Sequence, residues 1–521
     1  MDLTKIIQTE FSNLQLYWIV CALTIGLCSI ILFLNKKPGY SILFLFLAGL
    51  ILRVFIATLD PFLWTWDEQY HALVAKNMMI NPFKPVLVSN PVLDYDFKNW
   101  QGNSIWLHKQ PFFLWQIALF FKIFGTSEFV LRLPTIIMMS LMTLLIYRIG
   151  KLISTPDVAW YGAFLYTFSV FFIQFVSGYQ STDHNDSAFI FYVTLSIWSW
   201  VEYIHSHKKR WLILIGLFAG IAILNKWLVG LLVYFGWSLS IFLCSPKNKW
   251  FSEHKQMGIS LLVTILIALP WQIFIQCAYP NESGYELMYN NKHFFEAVEG
   301  HDGNAYYHLY LISNQYGGFL AIFLLIPGLC CLFKSMQNKV FKVGVFTFVI
   351  VTYLFYTIAA TKMVMFCTIV CPIFFLAFGA LLGKVVDWLR TIIPTHISAW
   401  IIVILLGFIA YDNLYINQID KWHSNKSSFW KKHNIDGIIN KQIARQIPSK
   451  DWVIFNSGGN NAITLMFYSG ATAYGCYPSY EQYQTLKSKG IKMATFVNEY
   501  IPNYLKQDPA VKKFYLNPIP Y

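Results

Sequence analysis

Charge is scarce in these 521 residues: Asp, Glu, Lys and Arg together make up 12%, where a soluble domain carries about 25%. That shortage excludes both a disordered chain and the row of about three or four soluble domains that the length would otherwise suggest. Paired cysteines are lacking too. Eight of the nine cysteines lie in or at the ends of apolar segments and only Cys476 sits in polar sequence, so neither a disulfide framework nor zinc-finger spacing is present. There is no internal repeat and no low-complexity tract. No Walker loop, dinucleotide fingerprint or serine-hydrolase elbow occurs, which leaves a cytosolic nucleotide substrate without support. The first apolar segment has no basic lead-in and no small-residue cleavage site, and reads as a retained helix rather than a signal peptide.

What the chain has in abundance is apolar surface. Hydrophobic residues make up 56% and aromatics 18%, and the mean hydropathy is +0.48. These values describe an α-helical polytopic membrane protein with wide aromatic belts. About twelve segments approach the 20 residues a span requires, from Leu16–Leu34 to Ile397–Ala410. They include Ala159–Phe175, Met363–Leu382 and the pair Trp211–Asn225 and Trp227–Cys244, separated by a very tight turn at Asn225-Lys226. The net charge of +13 does not argue for nucleic acid. Much of it lies in alternate short loops, such as Lys208-Lys209-Arg210, and the positive-inside rule makes that face cytoplasmic. The other face then carries the long loop Asp60–Glu128, the loops Gly178–Ser187 and Tyr279–Gly317, and the tail, with both termini outside.

The long first loop has structure of its own. Helix-period apolar residues follow Asp67-Glu68, and Pro111–Phe124 is apolar but too short to span, so both read as helices in the membrane interface. The tail turns polar and basic after Tyr411. Strand-like Trp452–Phe455, Ala471–Tyr474 and Lys492–Val497 alternate with helix-like Ala462–Tyr468 and Tyr480–Ser488, the pattern of a small α/β soluble domain. The expected division is a transmembrane domain over 1–410 and an extracytoplasmic domain over 411–521.

Ionisable groups near the bilayer are costly and mark function. Asp67 and Glu68 follow directly on a spanning helix. They serve either as first-turn acids complementing the helix dipole or, for one of them, as a general base. Lys109 is an interfacial snorkeller or a phosphate ligand at a helix start. Arg53 and Arg132, inside apolar segments, each need a partner or a wet cavity. In Ser181–Asp186, Asp183 and Asp186 are three apart and share a face if the next helix begins there; capping by Ser181, Thr182 or Asp183 is the alternative reading. Lys226 and Lys362 interrupt apolar sequence on the outer face, where two lysines reaching one cavity would suit an anionic headgroup. His293, Glu299, His301, Asp302 and His308 crowd one loop. A divalent metal ion is an option for His108, Asp183, His184 and His301, although no standard ligand spacing is present; no other cofactor is indicated.

Several stretches, in this order, resemble the membrane-embedded C-type glycosyltransferases, in particular the bacterial aminoarabinose lipid A transferases and relatives of the protein O-mannosyltransferases. Trp66-Asp67-Glu68-Gln69-Tyr70 is similar to that family's first-loop acidic motif. Lys109-Gln110-Pro111 through Gly125 resembles its Lys-Pro-Pro helix, continued by Glu128–Pro134. Asp186-Ser187-Ala188-Phe189, Leu224-Asn225-Lys226-Trp227, Pro270-Trp271 and Thr361-Lys362 followed by Pro372 resemble later motifs. The likeness spans roughly Ile51–Leu382. Gln110 replaces the first proline, Trp227 stands where a glycine is usual, and His108 takes the place of a glutamate near the metal of the aminoarabinose transferases. The resemblance implies transfer of a sugar from a polyprenyl-phosphate donor to an acceptor lipid, glycan or protein on the outer face of the cytoplasmic membrane. It implies Asp67 as the base with Glu68 beside it, and Lys109, Arg132, Asp186, Lys226 and Lys362 holding carrier phosphate and sugar. A transporter or flippase of an anionic lipid is the competing class. Its sign would be broken helices in two related halves, which the sequence lacks.

Overall fold

The computed structural model describes residues 11–178, 184–417, 419, 428–447 and 450–515. Helices α1 (Asn13–Leu34), α2 (Pro38–Leu59), α3 (Asp67–Met78), α4 (Phe112–Phe124) and α5 (Glu128–Ile153) come first. They are followed by α6 (Pro156–Thr167), α7 (Val170–Gln174), α8 (His184–Ser206), α9 (Arg210–Lys226), α10 (Leu232–Cys244) and α11 (Trp250–Ala278). Next come α12 (Pro280–Phe295), α13 (Tyr307–Gln315), α14 (Leu320–Ser335), α15 (Lys339–Ile358), α16 (Cys371–Ile392) and α17 (Thr395–Asn413). The tail holds α18 (Ser428–Gln446), β1 (Trp452–Phe455), α19 (Gly459–Ser469), β2 (Thr472–Ala473), α20 (Tyr480–Ser488), β3 (Lys492–Val497), α21 (Asn503–Gln507) and β4 (Lys512–Tyr515).

Each of the twelve expected apolar segments is helical over most of its length. Among the described residues, seven helices are long and apolar enough to cross a membrane, or eight if α13 and α14 form one span. The rest are short or interrupted. Ala159–Phe175 breaks between α6 and α7, and α9 runs for 17 residues before a 3-10 turn over Trp227–Leu231 leads into α10. The helix pair α13 and α14 bends by 95°. Its hinge is Gly317 and Gly318, at φ +99° and +94°, a region that costs glycine no steric strain.

The chain divides into two compact units: Met1–Leu59, Lys109–Phe113 and Arg132–Lys421 form the first, and Asp60–His108, Leu114–Leu131 and Trp422–Tyr521 the second. The second unit thus contains most of the first loop as well as the tail.

In the first unit, small residues let helices approach closely, as membrane helices require where no hydrophobic effect drives them together. Gly216 and Gly220 lie four apart on α9, facing α11. A Cβ at Gly216 would sit 2.3 Å from the Ser260 carbonyl oxygen. Where α6 meets α16, a Cβ at Gly379 would sit 2.5 Å from the Gly162 nitrogen. Ser29 and Ser41 bond each other's carbonyls at 2.7 and 2.8 Å, tying α1 to α2, and Trp160 Nε1 donates to Ser41 Oγ at 2.6 Å. Because the obstacle at Gly216 is backbone, Gly216→Ala should force α9 and α11 apart and destabilise the protein by about 1–3 kcal/mol. Thermal unfolding in detergent measures this; an unchanged midpoint would show that the two helices separate without cost.

In the second unit, a parallel sheet of order β2-β1-β3-β4 packs Val453, Phe455 and Met493 against Tyr483, Leu486, Leu505 and Val511. The first loop is bound into this body. Val92 and Leu93 backbone N–H groups donate to the Tyr474 hydroxyl at 2.9 and 3.1 Å. Thr472 Oγ1 donates to the Asn90 carbonyl at 3.0 Å, and His433 pairs with buried Asp60 at 2.9 Å. Gly437 of α18 has no room for a Cβ, which would lie 2.3 Å from the Phe62 ring.

Candidate functional site

In the second unit, Asp67 is the first residue of α3. Trp66 stands before it with φ +82°, and no side chain caps the helix. A bulky residue in that region is a backbone outlier, and such strain is held by its surroundings and concentrates at functional sites. The restraint comes from Glu68, whose carboxylate is fully buried and accepts the Trp64 N–H at 2.6 Å. The Gln69 N–H adds a bond to the Trp66 carbonyl at 3.1 Å. Glu68 therefore shapes the turn that presents half-buried Asp67. Tyr70, one helical turn on, has its hydroxyl pKa pushed up to about 12, first by burial and then by the Asp67 charge. It packs against Trp100 and Trp106, with ring centroids 5.2 and 6.2 Å away. His108 lies flat on Trp100 at 4.2 Å. The result is one carboxylate beside an aromatic nest.

A variant series separates the roles of the two acids. Glu68→Gln retains an oxygen that can accept the Trp64 N–H, whereas Glu68→Ala leaves that donor without it, a loss of about 1–3 kcal/mol. The expected order of activity is wild type, Gln, then Ala, with the Ala variant also less stable. Equal activity in Gln and Ala variants would remove the positioning role.

In the first unit, Asp186 lies in the first turn of α8 and Lys226 at the last residue of α9. Their side chains form an ion pair, with Asp186 6% and Lys226 19% exposed. The Lys226 amine also stands 5.0 Å over the Phe366 ring, and Tyr356 stacks on that ring at 4.4 Å. Lys362 has a different setting. Its amine donates to the carbonyls of Tyr356 at 3.0 Å, Thr357 at 2.7 Å and Ala359, closing off orphan carbonyls at the end of α15. Burial pushes its pKa down. Its backbone N–H bonds the His301 carbonyl at 2.9 Å, while Ala360 and Thr361 bond the carbonyls of Phe294 and His293. The loop after α12, rich in His and acids, is thereby clasped to the Lys362 turn.

Arg132 is fully buried and donates from a guanidinium nitrogen to the Ala57 carbonyl at 2.9 Å. Arg53 is equally buried; it bonds the Gly49 carbonyl at 3.1 Å and lies 5.0 Å over the Tyr166 ring. His184 is buried against Thr135, Nδ1 to Oγ1 3.0 Å. Lys109 is half-buried, and the neighbouring Gln110 accepts from Gln272 at 2.8 Å, so the residue replacing proline makes a helix-to-helix bond. Ser181, Thr182 and Asp183 lie outside the described residues. Among the described residues no three His, Cys, Asp or Glu side chains are grouped to hold a metal ion. Among the described residues His108, His184 and His301 are not gathered into such a group, and no chemical step below runs through a metal.

The structure thus joins Asp186 to Lys226, sets Lys362 against the His301 loop, and gathers Asp67, Glu68 and His108 in the second unit. Sequence reasoning missed Phe366 and Tyr356 beneath Lys226, and Trp100 beneath His108. The one signal for Phe366 was its nearness to Lys362, four residues before it.

Residues 108–274 match the family described as dolichyl-phosphate-mannose-protein mannosyltransferase. An undecaprenyl phosphate-alpha-4-amino-4-deoxy-L-arabinose arabinosyl transferase of Pseudomonas paraeruginosa is 25% identical over 251 residues, 46% of this chain and 41% of that protein. Its counterpart in Yersinia pestis is 24% identical over 348 residues, 63% of this chain and 56% of that protein. The chain matches less than two thirds of either relative's length. In fold, ArnT from Cupriavidus metallidurans bound to undecaprenyl phosphate superposes with a TM-score of 0.62 at 15% identity, covering 86% of this chain and 88% of that one. The archaeal oligosaccharyltransferase AglB from Archaeoglobus fulgidus gives 0.55 at 12%, covering 84% and 65%. Family model, curated relatives and fold together support a likeness of this chain to the aminoarabinose transferase and protein mannosyltransferase group of membrane-embedded C-type glycosyltransferases.

Proposed function

We propose that this protein transfers a sugar from a polyprenyl-phosphate carrier to a hydroxyl-bearing lipid, glycan or protein at the outer face of the cytoplasmic membrane. The acceptor oxygen attacks the anomeric carbon, the bond from that carbon to the phosphate oxygen breaks, and the carrier phosphate leaves with the electron pair. Asp67 takes the hydroxyl proton. Positive groups offset the charge on the leaving phosphate: the Lys226 amine in its pair with Asp186, together with Lys109. Arg132 and Lys362 add their charge from buried positions where they hold backbone carbonyls.

The observation that carries this reading is the Lys226–Asp186 pair. A charged pair inside an apolar helical unit is costly to desolvate, and ionisable groups at such positions mark a substrate path. The names of the curated relatives, which specify an undecaprenyl-phosphate sugar donor, agree with it, and so does a first loop with a carboxylate at the start of its helix.

Purified protein given a radiolabelled undecaprenyl-phosphate sugar and an extract of cell-envelope acceptors should release free carrier phosphate and move label to the acceptor. Movement of intact donor across a vesicle membrane, without cleavage of the sugar–phosphate bond, would assign a transport function instead.

A further inference from the structure

A cavity lies in the first unit, away from the residues discussed above. It has a volume of about 260 Å³ and opens where the ends of α8, α10, α11 and α15 meet; Tyr203, His207, Trp237, Ser245, Glu253 and Asn338 line it. That is smaller than the roughly 300–1,000 Å³ of sites for drug-sized ligands, and suits a headgroup. Part of its wall is aromatic. The Tyr203 ring stands 5.4 Å from Trp237 and 5.9 Å from His207.

Glu253 is the unexpected component. The loops at this end are rich in lysine, with Lys247 and Lys249 just ahead of it and Lys339 between lining residues Asn338 and Val340. Yet among the described residues its carboxylate makes no ion pair; it accepts the Ser245 hydroxyl at 2.6 Å. A carboxylate with aromatic faces on one side is the chemistry that recognises an ammonium group. Lysines at the rim are the chemistry that recognises a phosphate. Phe251, two residues before Glu253, is 84% exposed, an aromatic set as at a membrane interface.

We propose that this cavity binds the headgroup of an ammonium phospholipid of the phosphatidylethanolamine type, with the ammonium on Glu253 beside the Tyr203–Trp237 ring pair and the phosphate on Lys339. Such a lipid would dock at the lysine-rich end of the helices as a structural ligand, independent of the sugar-transfer reaction.

Native mass spectrometry of the full-length protein, exchanged into equal dioleoyl-phosphatidylethanolamine and dioleoyl-phosphatidylglycerol, tests this. The wild type should retain the ethanolamine lipid about tenfold over the glycerol lipid. Glu253→Gln, close in shape but uncharged, should bring the two to near parity. Equal retention by the wild type would overturn the proposal without reference to any variant. So would an ethanolamine preference undiminished in Glu253→Gln. Binding of free ethanolamine with no preference between the lipids would make the ligand a soluble amine and overturn the lipid assignment.

Discussion

Asp67→Asn should fold and insert normally but transfer sugar about two to four orders of magnitude more slowly than the wild type. The prediction rests on where Asp67 sits. It is not the helix cap: that position belongs to Trp66, whose side chain makes no capping bond. One structural role for the carboxylate is to complement the dipole of α3, worth about 0.3–1 kcal/mol. Asn fills the same volume and keeps a hydrogen-bonding oxygen, so its structural cost is small beside the expected loss of rate. What Asn cannot do is take a proton from an attacking hydroxyl. The strained Trp66 backbone and the buried Glu68 that restrains it suggest that the direction of Asp67 matters more than its charge alone. Asp67→Glu should therefore fail as well, since the longer stem moves the carboxylate off the set position. Initial rates with the lipid-linked donor, at matched levels of folded protein, check both variants. Near-normal turnover in Asp67→Asn would limit the residue to the helix-dipole role.

Much of this arrangement was legible in the sequence, for reasons that differ from element to element. Apolar runs locate helices because each must bury or span, so all twelve segments were found and α20 matched its expected bounds. Breaks within those runs were not. Phe168 and Ser169 divide α6 from α7 without proline or glycine, and a run of hydrophobic residues looks the same whether its helix continues or turns. At Asn225-Lys226 the expected tight turn is instead the end of α9 running into a 3-10 turn, in which a Cβ at Gly230 would lie 2.8 Å from the Ile223 nitrogen. β4 escaped notice because Lys512 and Lys513 interrupt its pattern; lysines are common on an edge strand, and β4 is one. Candidate site residues stood out singly, as charges in apolar surroundings. Their partners did not, because Asp186 and Lys226 are 40 residues apart and no spacing rule reaches across two helices.

That pair gives the second large effect. Lys226→Met should destabilise the protein by about 3–5 kcal/mol, because it removes the amine from a carboxylate that is buried in the pair. The Asp186 side chain is 6% exposed, so water is a poor replacement for the lost amine, and the N-terminal dipole of α8 offsets part of the cost. The same substitution should weaken donor binding by about 10- to 150-fold, the worth of one charge-assisted contact to phosphate. Loss of activity in the single variant would not separate these effects, but a double variant does. Asp186→Asn with Lys226→Met removes both charges and leaves no uncompensated ion, and exchanges of this kind are often neutral or stabilising. Thermal unfolding should return close to the wild-type midpoint. Transfer and donor binding should stay low, because the cation for the carrier phosphate is still missing. A double variant that regained both stability and donor binding would mean that Lys226 exists to neutralise Asp186, and the phosphate contact would have to be assigned elsewhere, to Lys109 first.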